Sequence, residues 1–265
     1  MRWLKARWHA GPLSRTNLRC RIDEQGCPGC GGRAFEKRQV IRDHLAQSWG
    51  LSRRERDWFD EREGDRCLGC GMNRRVRMLV WSLRRHFPRL EELCVLHVSQ
   101  VNCLSPLLGS AGTLVETVHQ PEMPQGSQLG GLINQDLESL TFADAAFDLV
   151  IHSETLEHVF DLTKALAEIH RVLRPGGRQL YTVPVLHHRG SRRRMARAED
   201  GQVLDLLPPS FHGVDREFPV VWELGGDFLQ ERRSLVRALD YDNFWDNPTI
   251  FAVVEQKADS RARAA

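Results

Sequence analysis

The chain has 265 residues, of which 41% are hydrophobic and 27% charged, so it is long enough for one large domain and a small one. The amino terminus lacks the apolar core of a signal peptide, and no run reaches the ~18 apolar residues of a membrane helix. We therefore expect a cytoplasmic protein without a membrane span.

Charge is unevenly distributed along the chain. Residues 1–90 carry 21 Lys or Arg and 10 Asp or Glu, a net charge of +11, so the overall charge of +2 leaves −9 for the remainder. This asymmetry is compatible with a nucleic-acid-binding module, with docking of two oppositely charged domains, or with solvated surface alone.

Two short cysteine motifs lie in the first 70 residues. Cys27-Pro-Gly-Cys30 and Cys67-Leu-Gly-Cys70 each place two residues between the cysteines and a glycine behind them. The odd total of seven cysteines argues against a disulfide framework, whereas paired CxxC motifs are typical of metal sites. Four thiolates complete a tetrahedron around Zn²⁺, so we predict one structural zinc ion held by all four cysteines.

Helical patterns surround these motifs. Apolar residues recur at helical spacing near residues 40–49, a charged helix is predicted over 53–63, and a third is predicted over 72–87 before Pro88. The first 90 residues are therefore predicted to form a small, mostly helical, zinc-binding module.

Alternating strand and helix signals follow from residue 91 onwards. We predict a first strand over 93–98, a second over 113–117 with Glu116 near its carboxyl end, and a third that ends just before Asp136 and Leu137. The apolar run 147–153 predicts a strand buried on both faces.

The next segment completes a strand–helix–strand unit. Asp161 can cap a helix whose apolar stripe runs from Leu162 to Leu173. Pro175 disfavours helical geometry before it, and Gly176-Gly177 supplies a turn into a strand over 179–183. Such a unit is the building block of a parallel sheet. Further along, we predict a helix over 226–239, a last strand over 251–255 and a disordered tail over 258–265.

Three pieces of this stretch together resemble the class I S-adenosylmethionine-dependent methyltransferases of the type 11 branch. They are Phe147-Asp-Leu-Val150, Leu156-Glu-His158 and Arg171-Val-Leu-Arg-Pro-Gly-Gly177. The resemblance implies an α/β fold with a Rossmann-like, mostly parallel sheet and helices on both faces, over residues 91–257. The cysteine module is similar to an amino-terminal zinc-binding extension of some bacterial members.

The resemblance also implies a cofactor site for S-adenosylmethionine at the carboxyl ends of the strands. The loop after the first strand departs from the family because it contains neither the usual acid nor the glycines, which puts close approach of the cofactor there in doubt. We expect the backbone of His97, Val98 and Ser99 to meet the methionine portion and Glu116 to bind the ribose. Asp136 and Leu137 are expected at the adenine edge, and the crevice is expected to include His152 and Ser153.

The implied reaction is methyl transfer to an oxygen, nitrogen or carbon atom of an acceptor. If the acceptor is protonated at neutral pH, a base is needed, and His158 is the first candidate and His212 the second. The basic run 189–197 is predicted to be an exposed insert, which is a mobile lid, a contact for an anionic acceptor or a surface segment without a function. The resemblance implies a small-molecule or glycan acceptor, and the net charge of −9 after residue 90 disfavours RNA. An RNA methyltransferase and a degenerate, non-catalytic scaffold protein remain the alternatives.

Overall fold

A computed structural model describes residues 26–101, 103–212, 218–242 and 246–257. The tail predicted over 258–265 lies outside these residues, as does the start of the predicted zinc-binding module. No described helix has the length and apolar character that crossing a bilayer requires. The described α-helices are α1 Asp43–Trp49, α2 Arg53–Gly64, α3 Arg74–His86, α4 Ser105–Leu108, α5 Leu162–Val172 and α6 Gly226–Glu231.

The described strands fall into one large sheet and several small ones. They are β1 Phe35–Lys37, β2 Asp65–Cys67, β3 Cys94–His97, β4 Thr113–Val118, β5 Gln128–Leu129, β6 Leu132–Asn134, β7 Phe147–Ser153, β8 Leu173–Thr182, β9 Val185–Leu186, β10 Arg192–Arg193, β11 Met195–Arg197, β12 Val203–Asp205, β13 Phe211–His212, β14 Phe218–Pro219, β15 Trp222–Gly225, β16 Val236–Tyr241 and β17 Phe251–Gln256. The large sheet has eight strands in the order β16-β17-β8-β7-β3-β4-β6-β5.

The large sheet is parallel at its centre and antiparallel at its edges. Strands β6, β4, β3, β7 and β8 pair in parallel, whereas β17 runs antiparallel to both β8 and β16. From β3 the chain winds outwards through β4 and β6, and then returns to β7 on the opposite side of β3. The strand order therefore reverses between β3 and β7, and ligands of open α/β sheets bind outside the carboxyl ends of such strands.

Each face of this sheet carries its own apolar core. Val150 and Tyr181 lie in one buried cluster with Ile169 of α5, and Leu149 and Ile151 lie in the other with Leu79 of α3. Because side chains of a strand alternate between faces, the single apolar run of β7 fills both cores. The predicted Rossmann-like sheet with helices on both faces is confirmed.

Local signals explain where the helices begin. Asp161 caps α5 by accepting a 2.9 Å bond from the Lys164 amide, as its sequence position predicts. Ser52 and Glu55 form a reciprocal capping box at α2, and Asn73 caps α3 through the Val76 amide at 2.9 Å. Strands β1 and β2 pair in the structure, although the sequence predicted only helices between the cysteine motifs.

Two predictions from the sequence are wrong. The helix predicted over 226–239 ends at Glu231, because Val236–Tyr241 leaves it to pair with β17 as strand β16. The basic run 189–197 is exposed only in part: Arg192 and Arg197 are exposed, but the run contributes strands β10 and β11, and Arg194 is only 1% exposed. Glu223 binds the guanidinium groups of both Arg192 and Arg194, which explains how these charges come to lie against the fold.

Candidate active site and cysteine cluster

The four cysteines of the CxxC motifs converge in space. The Sγ atoms of Cys27 and Cys70 are 3.5 Å apart, as are those of Cys30 and Cys67, and all four lie within 4.8 Å of one another. Four sulfur atoms 2.3 Å from a shared tetrahedral Zn²⁺ are ~3.8 Å apart. The side chains therefore already surround a volume of the size of a ZnS₄ centre.

The two CxxC loops have the same backbone hydrogen bond and the same glycine conformation. The Gly31 amide donates to the Cys27 carbonyl at 2.7 Å, and the Gly71 amide donates to the Cys67 carbonyl at 2.8 Å. Gly31 and Gly71 both have a φ of +76°, a conformation that favours glycine. Burial opposes ionisation of Cys67, but backbone donors from Cys70 and Gly69 outweigh it and lower the pKa of this thiol to about 7. Burial, by contrast, raises the pKa of Cys27 and of Cys70, so the thiols of the cluster differ in how readily they ionise.

At the switch point of the sheet, His97 and Glu116 face each other across β3 and β4. The fully buried His97 ring accepts a 3.2 Å bond from the Val101 amide at Nε2. Its Nδ1 therefore carries the proton, which it donates to Glu116 Oε1 at 2.8 Å. Burial lowers the pKa of His97 despite the carboxylate, so the imidazole is a neutral, orienting group.

Glu116 is strongly engaged by protein donors. Besides the bond from His97, Glu116 accepts bonds from the Ser105 hydroxyl at 2.6 Å and from Nε2 of the Gln100 side chain at 3.3 Å. Burial opposes ionisation, yet the donors lower the pKa of Glu116 below its usual value. A carboxylate has about four acceptor positions, so one remains for a ligand hydroxyl.

The loop after β3 makes its turn without a glycine. Ser99 adopts a φ of 53°, in the left-handed region that glycine normally supplies. The Val98 amide continues the ladder to Ile151, and the Gln100 amide donates to the Thr117 carbonyl at 2.9 Å. The loop therefore follows the neighbouring strands closely while still bending at their carboxyl ends.

Asp136 and Leu137 follow β6, next to the end of β4. The Gln135 amide donates to the Val118 carbonyl at 2.9 Å, which places this segment beside β4. Asp136 is half-buried and accepts a 2.9 Å bond from the Glu138 amide, whereas Leu137 is 5% exposed. Both remain predicted adenine contacts, and the turn fixes the orientation of the carboxylate.

His152 and Ser153 end β7 in different environments. His152 is fully buried and stacks on Tyr181, with ring centroids 5.0 Å apart. Burial lowers its pKa to about 3, so the ring is neutral. The Ser153 hydroxyl binds Thr182 at 2.7 Å and also receives a bond from Arg75 of α3. Of the two, Ser153 is the more accessible to a ligand in the crevice.

Sequence reasoning missed an ion-pair network next to Ser153. Glu154 has a φ of 53° and binds Arg62 of α2 through both oxygens, at 2.7 and 2.5 Å. Arg75 binds Glu63 at 2.8 Å. Burial opposes ionisation of Glu154, but Arg62 and Arg75 outweigh it and lower its pKa to about 2. Arg62 and Glu154 are 92 residues apart in the sequence, so no local pattern indicates their pairing.

The predicted bases His158 and His212 do lie together. Their ring centroids are 5.0 Å apart, and Nδ1 of His158 is 2.7 Å from the Pro219 carbonyl. Between them lies Glu157, which is fully buried. Burial lowers the pKa of both histidines, that of His212 to about 4 with a contribution from His158, and it raises the pKa of Glu157 well above its usual value.

Part of the large sheet matches a known protein family. The family model described as "Methyltransferase domain", of type 11, matches residues 94–181, from β3 into β8. An uncharacterized protein, YafE of Escherichia coli strain K12, is 54% identical over 41 residues, which are 16% of this chain and 20% of the relative. The ubiquinone/menaquinone biosynthesis C-methyltransferase UbiE of Klebsiella pneumoniae is 34% identical over 79 residues, 29% of each chain. The chain thus spans less than a third of the length of these relatives.

Solved structures show partial similarity. An S-adenosylmethionine-dependent methyltransferase from Mesorhizobium loti has a TM-score of 0.45 at 16% identity, over 67% of this chain and 96% of the other. The PH0226 protein from Pyrococcus horikoshii has a TM-score of 0.46 at 19% identity, over 69% and 89%. The sequence match over β3–β8 and the mostly parallel sheet agree with the motifs around β7 and α5. Over residues 94–181, about a third of its length, the chain matches the type 11 methyltransferase domain.

Proposed function

We propose that the protein transfers a methyl group from S-adenosylmethionine to a small-molecule acceptor. The observation that carries this proposal is the family match over 94–181, which covers both strands that form the switch point. The UbiE relative is named as a C-methyltransferase of ubiquinone and menaquinone biosynthesis, and its similarity favours a small organic acceptor over a polymer.

The residues at the switch point fit the cofactor. Glu116 is ionised and keeps one acceptor position, which suits a ribose hydroxyl. Ser99 adopts a left-handed φ of 53° in the loop where the family usually has glycines, so the backbone still turns at the carboxyl end of β3. Asp136, Leu137, Ser153 and the backbone from His97 to Ser99 complete the proposed site. When bound, the cofactor supplies an already reactive methyl group, so the protein mainly has to align the acceptor.

The described residues form a cavity whose size suits a small acceptor, and none of the residues proposed to bind the cofactor lines it. It measures about 460 Å³ and is lined by residues that include Phe160, Arg193, Trp222 and Asp227. Ligand pockets commonly have this size and this mixture of aromatic and polar groups. Phe160 belongs to the segment between β7 and α5, and Trp222 follows Val221, whose amide binds the Glu157 carbonyl at 2.8 Å.

A glycan held by the basic run has less support than it had from the sequence. Arg192 and Arg194 bind Glu223, and Arg193 donates to the carbonyls of Phe160 and Met195 at 2.9 Å. These guanidinium groups already have partners, so an anionic acceptor would have to displace them. RNA binding through the same arginines meets the same difficulty, because phosphate contacts require accessible cations.

We also propose that the cysteine cluster holds one structural zinc ion. Four thiolates leave no coordination position for water, so the ion organises the fold around β1 and β2 and does not react. Gly32 and Gly69 permit this approach, since a Cβ atom on either would lie within 3.3 Å of a cysteine sulfur. The boundary of the zinc-binding module predicted over 1–90 stays a prediction. Helix α3, which lies within that range, packs directly against the large sheet.

Cofactor titration tests the proposal directly. We expect the zinc-loaded full chain to bind S-adenosylmethionine and S-adenosylhomocysteine with micromolar dissociation constants, typical of substrate affinities. The same calorimetric titration should show no binding of ATP, which shares the adenosine portion only. Absence of binding to either sulfur compound would overturn the proposal and leave the scaffold alternative.

A further inference from the structure

A carboxylate and two imidazoles form a second cluster with the geometry of a metal site. Oε1 of Glu157 lies 3.6 Å from Nε2 of His158 and 3.7 Å from Nδ1 of His212. One ligand atom from each residue lies within 4.8 Å of the other two. The cluster contains none of the four cysteines.

Glu157 is the least satisfied member of the cluster. It is fully buried, and neither carboxylate oxygen has a hydrogen-bond partner among the described residues. Burying such a group without compensation is strongly unfavourable, whether it is an ionised acceptor or a protonated donor. A bound cation would supply the missing compensation.

His158 presents a lone pair towards the cluster. Its Nδ1 lies 2.7 Å from the Pro219 carbonyl, which can only accept, so Nδ1 carries the proton and Nε2 of the neutral ring is free to ligate. Metal-binding histidines usually donate their other N–H to a carbonyl or carboxylate in this way. The same hairpin holds both rings, since His212 in β13 pairs with Phe218 and Phe211 pairs with Pro219.

The separations fit metal ligation better than direct hydrogen bonding. Hydrogen bonds between nitrogen and oxygen rarely exceed ~3.2 Å, so 3.6 and 3.7 Å are too long. Ligands ~2.1 Å from one ion are separated by about 3.0 Å in octahedral and 3.4 Å in tetrahedral geometry. Small side-chain rotations would bring the three atoms to these values.

The surrounding charges tolerate a cation. Arg62 and Arg75 approach the cluster, but Glu154 and Glu63 bind them. With Glu157 ionised, the five charged groups sum to −1 before an ion enters. Trp49 of α1 lies against the His212 ring, with centroids 5.9 Å apart, and limits its movement.

We infer that Glu157, His158 and His212 bind a divalent first-row transition metal ion at the carboxyl end of β7. Two imidazoles and one carboxylate suit Zn²⁺, Fe²⁺ or Co²⁺, whereas Mg²⁺ and Ca²⁺ prefer oxygen ligands throughout. Three protein ligands leave at least one coordination position open. If the proposed methyl transfer is correct, on which this role rests, an ion held by these three residues would supply a Lewis acid able to favour loss of a proton from an acceptor hydroxyl.

Metal stoichiometry tests the site without any activity measurement. Untagged full-length protein is loaded with Zn²⁺, passed into metal-free buffer and analysed by mass spectrometry of the metal. We expect two zinc ions per chain in the wild type and one in each of Glu157→Gln and His212→Phe. Retention of the cysteine-bound ion shows that these variants are folded. His188→Phe is the matched control, because His188 also faces a glutamate, Glu55, at 3.1 Å, and it should keep two ions.

Cobalt provides a second readout. The cluster's ion is first removed with a weak chelator that leaves the cysteine-bound zinc in place. Co²⁺ added to this wild-type protein should give visible absorption of nitrogen and oxygen ligation without thiolate charge transfer, and this signal should be lost in Glu157→Gln. One zinc ion in the wild type with no cobalt signal would overturn the inference, as would a second ion that persists in both cluster variants. Two ions in a protein that fails to bind S-adenosylmethionine would support the metal site and contradict only the proposed function.

Discussion

Arg62 and Glu154 form a two-armed ion pair across 92 residues of sequence, with Nη1–Oε2 and Nη2–Oε1 distances of 2.7 and 2.5 Å. The Arg62 side chain is only 2% exposed, and its Nε also donates to the Thr249 carbonyl at 2.9 Å. Helix α2, which lies between the CxxC motifs, is thereby fixed to the first residue after β7. The cysteine-containing part of the chain and the switch point of the sheet therefore share a buried electrostatic contact.

Replacing Arg62 with Met should destabilise the protein strongly. The change leaves the Glu154 charge without its two-armed partner, and breaking a buried pair in this way costs about 3–5 kcal/mol. Urea unfolding of the zinc-loaded protein measures the effect. Arg38→Met removes an exposed ion pair with Glu36 and should change stability by less than about 1 kcal/mol. Equal losses in the two variants would contradict a structural role for the buried pair.

Replacing Cys67 with Ser should remove the structural zinc ion. Binding energy at such a site is folding energy, so we expect a loss of at least ~3 kcal/mol and a fall in Tm of about 6–12 °C. Thermal unfolding and metal content measure the two effects together. Cys94→Ser is the control, since Cys94 is half-buried but outside the cluster. A zinc-free Cys67→Ser protein with unchanged Tm would show that the ion does not organise the fold.

Local sequence patterns were sufficient for the centre of the sheet. The βαβ unit was predictable because its signals are local. They are the apolar residues of β7, the Asp161 cap and the apolar face of α5, and each depends on neighbours within a few residues. Strands β1 and β2 were not, because each has three residues and they pair across about 30 residues of chain. The helix predicted over 226–239 failed for the same reason: pairing with β17 outweighs helix propensity after Glu231.

In the candidate site, too, local patterns predicted some features, and contacts between distant residues were missed. The CxxC spacing correctly indicated that four cysteines meet, since metal ligation constrains spacing directly. By contrast, the partners of Arg192 and Arg194 are 31 and 29 residues away at Glu223, and no local pattern reveals them. Glu154 and Arg62 were missed because their partnership exists only in the folded chain.

Arg194 should be structural, in contrast to the exposed role predicted from the sequence. It is 1% exposed, pairs with Glu223 and also donates to Ser48 at 3.2 Å. Arg194→Met should therefore destabilise the protein by about 1–3 kcal/mol, because Glu223 loses one buried partner and keeps Arg192. Arg237→Met, at an exposed arginine bound to Gln256, serves as the control. A stable Arg194→Met protein with weakened, salt-sensitive RNA binding would instead revive the RNA alternative.

His152 should make stability fall in mild acid. Burial lowers its folded pKa to about 3, whereas the unfolded value is near 6.5. The unfolded chain therefore takes up a proton first, and stability present above pH 6.5 is lost progressively towards pH 3. Between pH 7 and pH 5 this loss is about 2 kcal/mol, and His152→Phe should abolish it. Denaturant unfolding at both pH values measures the difference, with His44→Phe at an exposed site as the control. Identical pH dependence in wild type and His152→Phe would be the contrary result.

Asp136 should contribute directly to cofactor affinity. Its half-buried carboxylate follows β6 and accepts a bond from the Glu138 amide, and the preceding Gln135 amide binds Val118 at the end of β4. Loss of one good hydrogen bond to a charged group corresponds to about a tenfold or greater weakening, so Asp136→Ala should raise the Kd for S-adenosylhomocysteine by that factor. Calorimetric titration measures the change. Asp200→Ala is closely matched, because Asp200 accepts the same kind of bond from the amide two residues later, at 3.0 Å, in an exposed turn. Affinity should be unchanged in that control. If both variants bind alike, Asp136 does not contact the cofactor, and the carboxylate serves only its own turn.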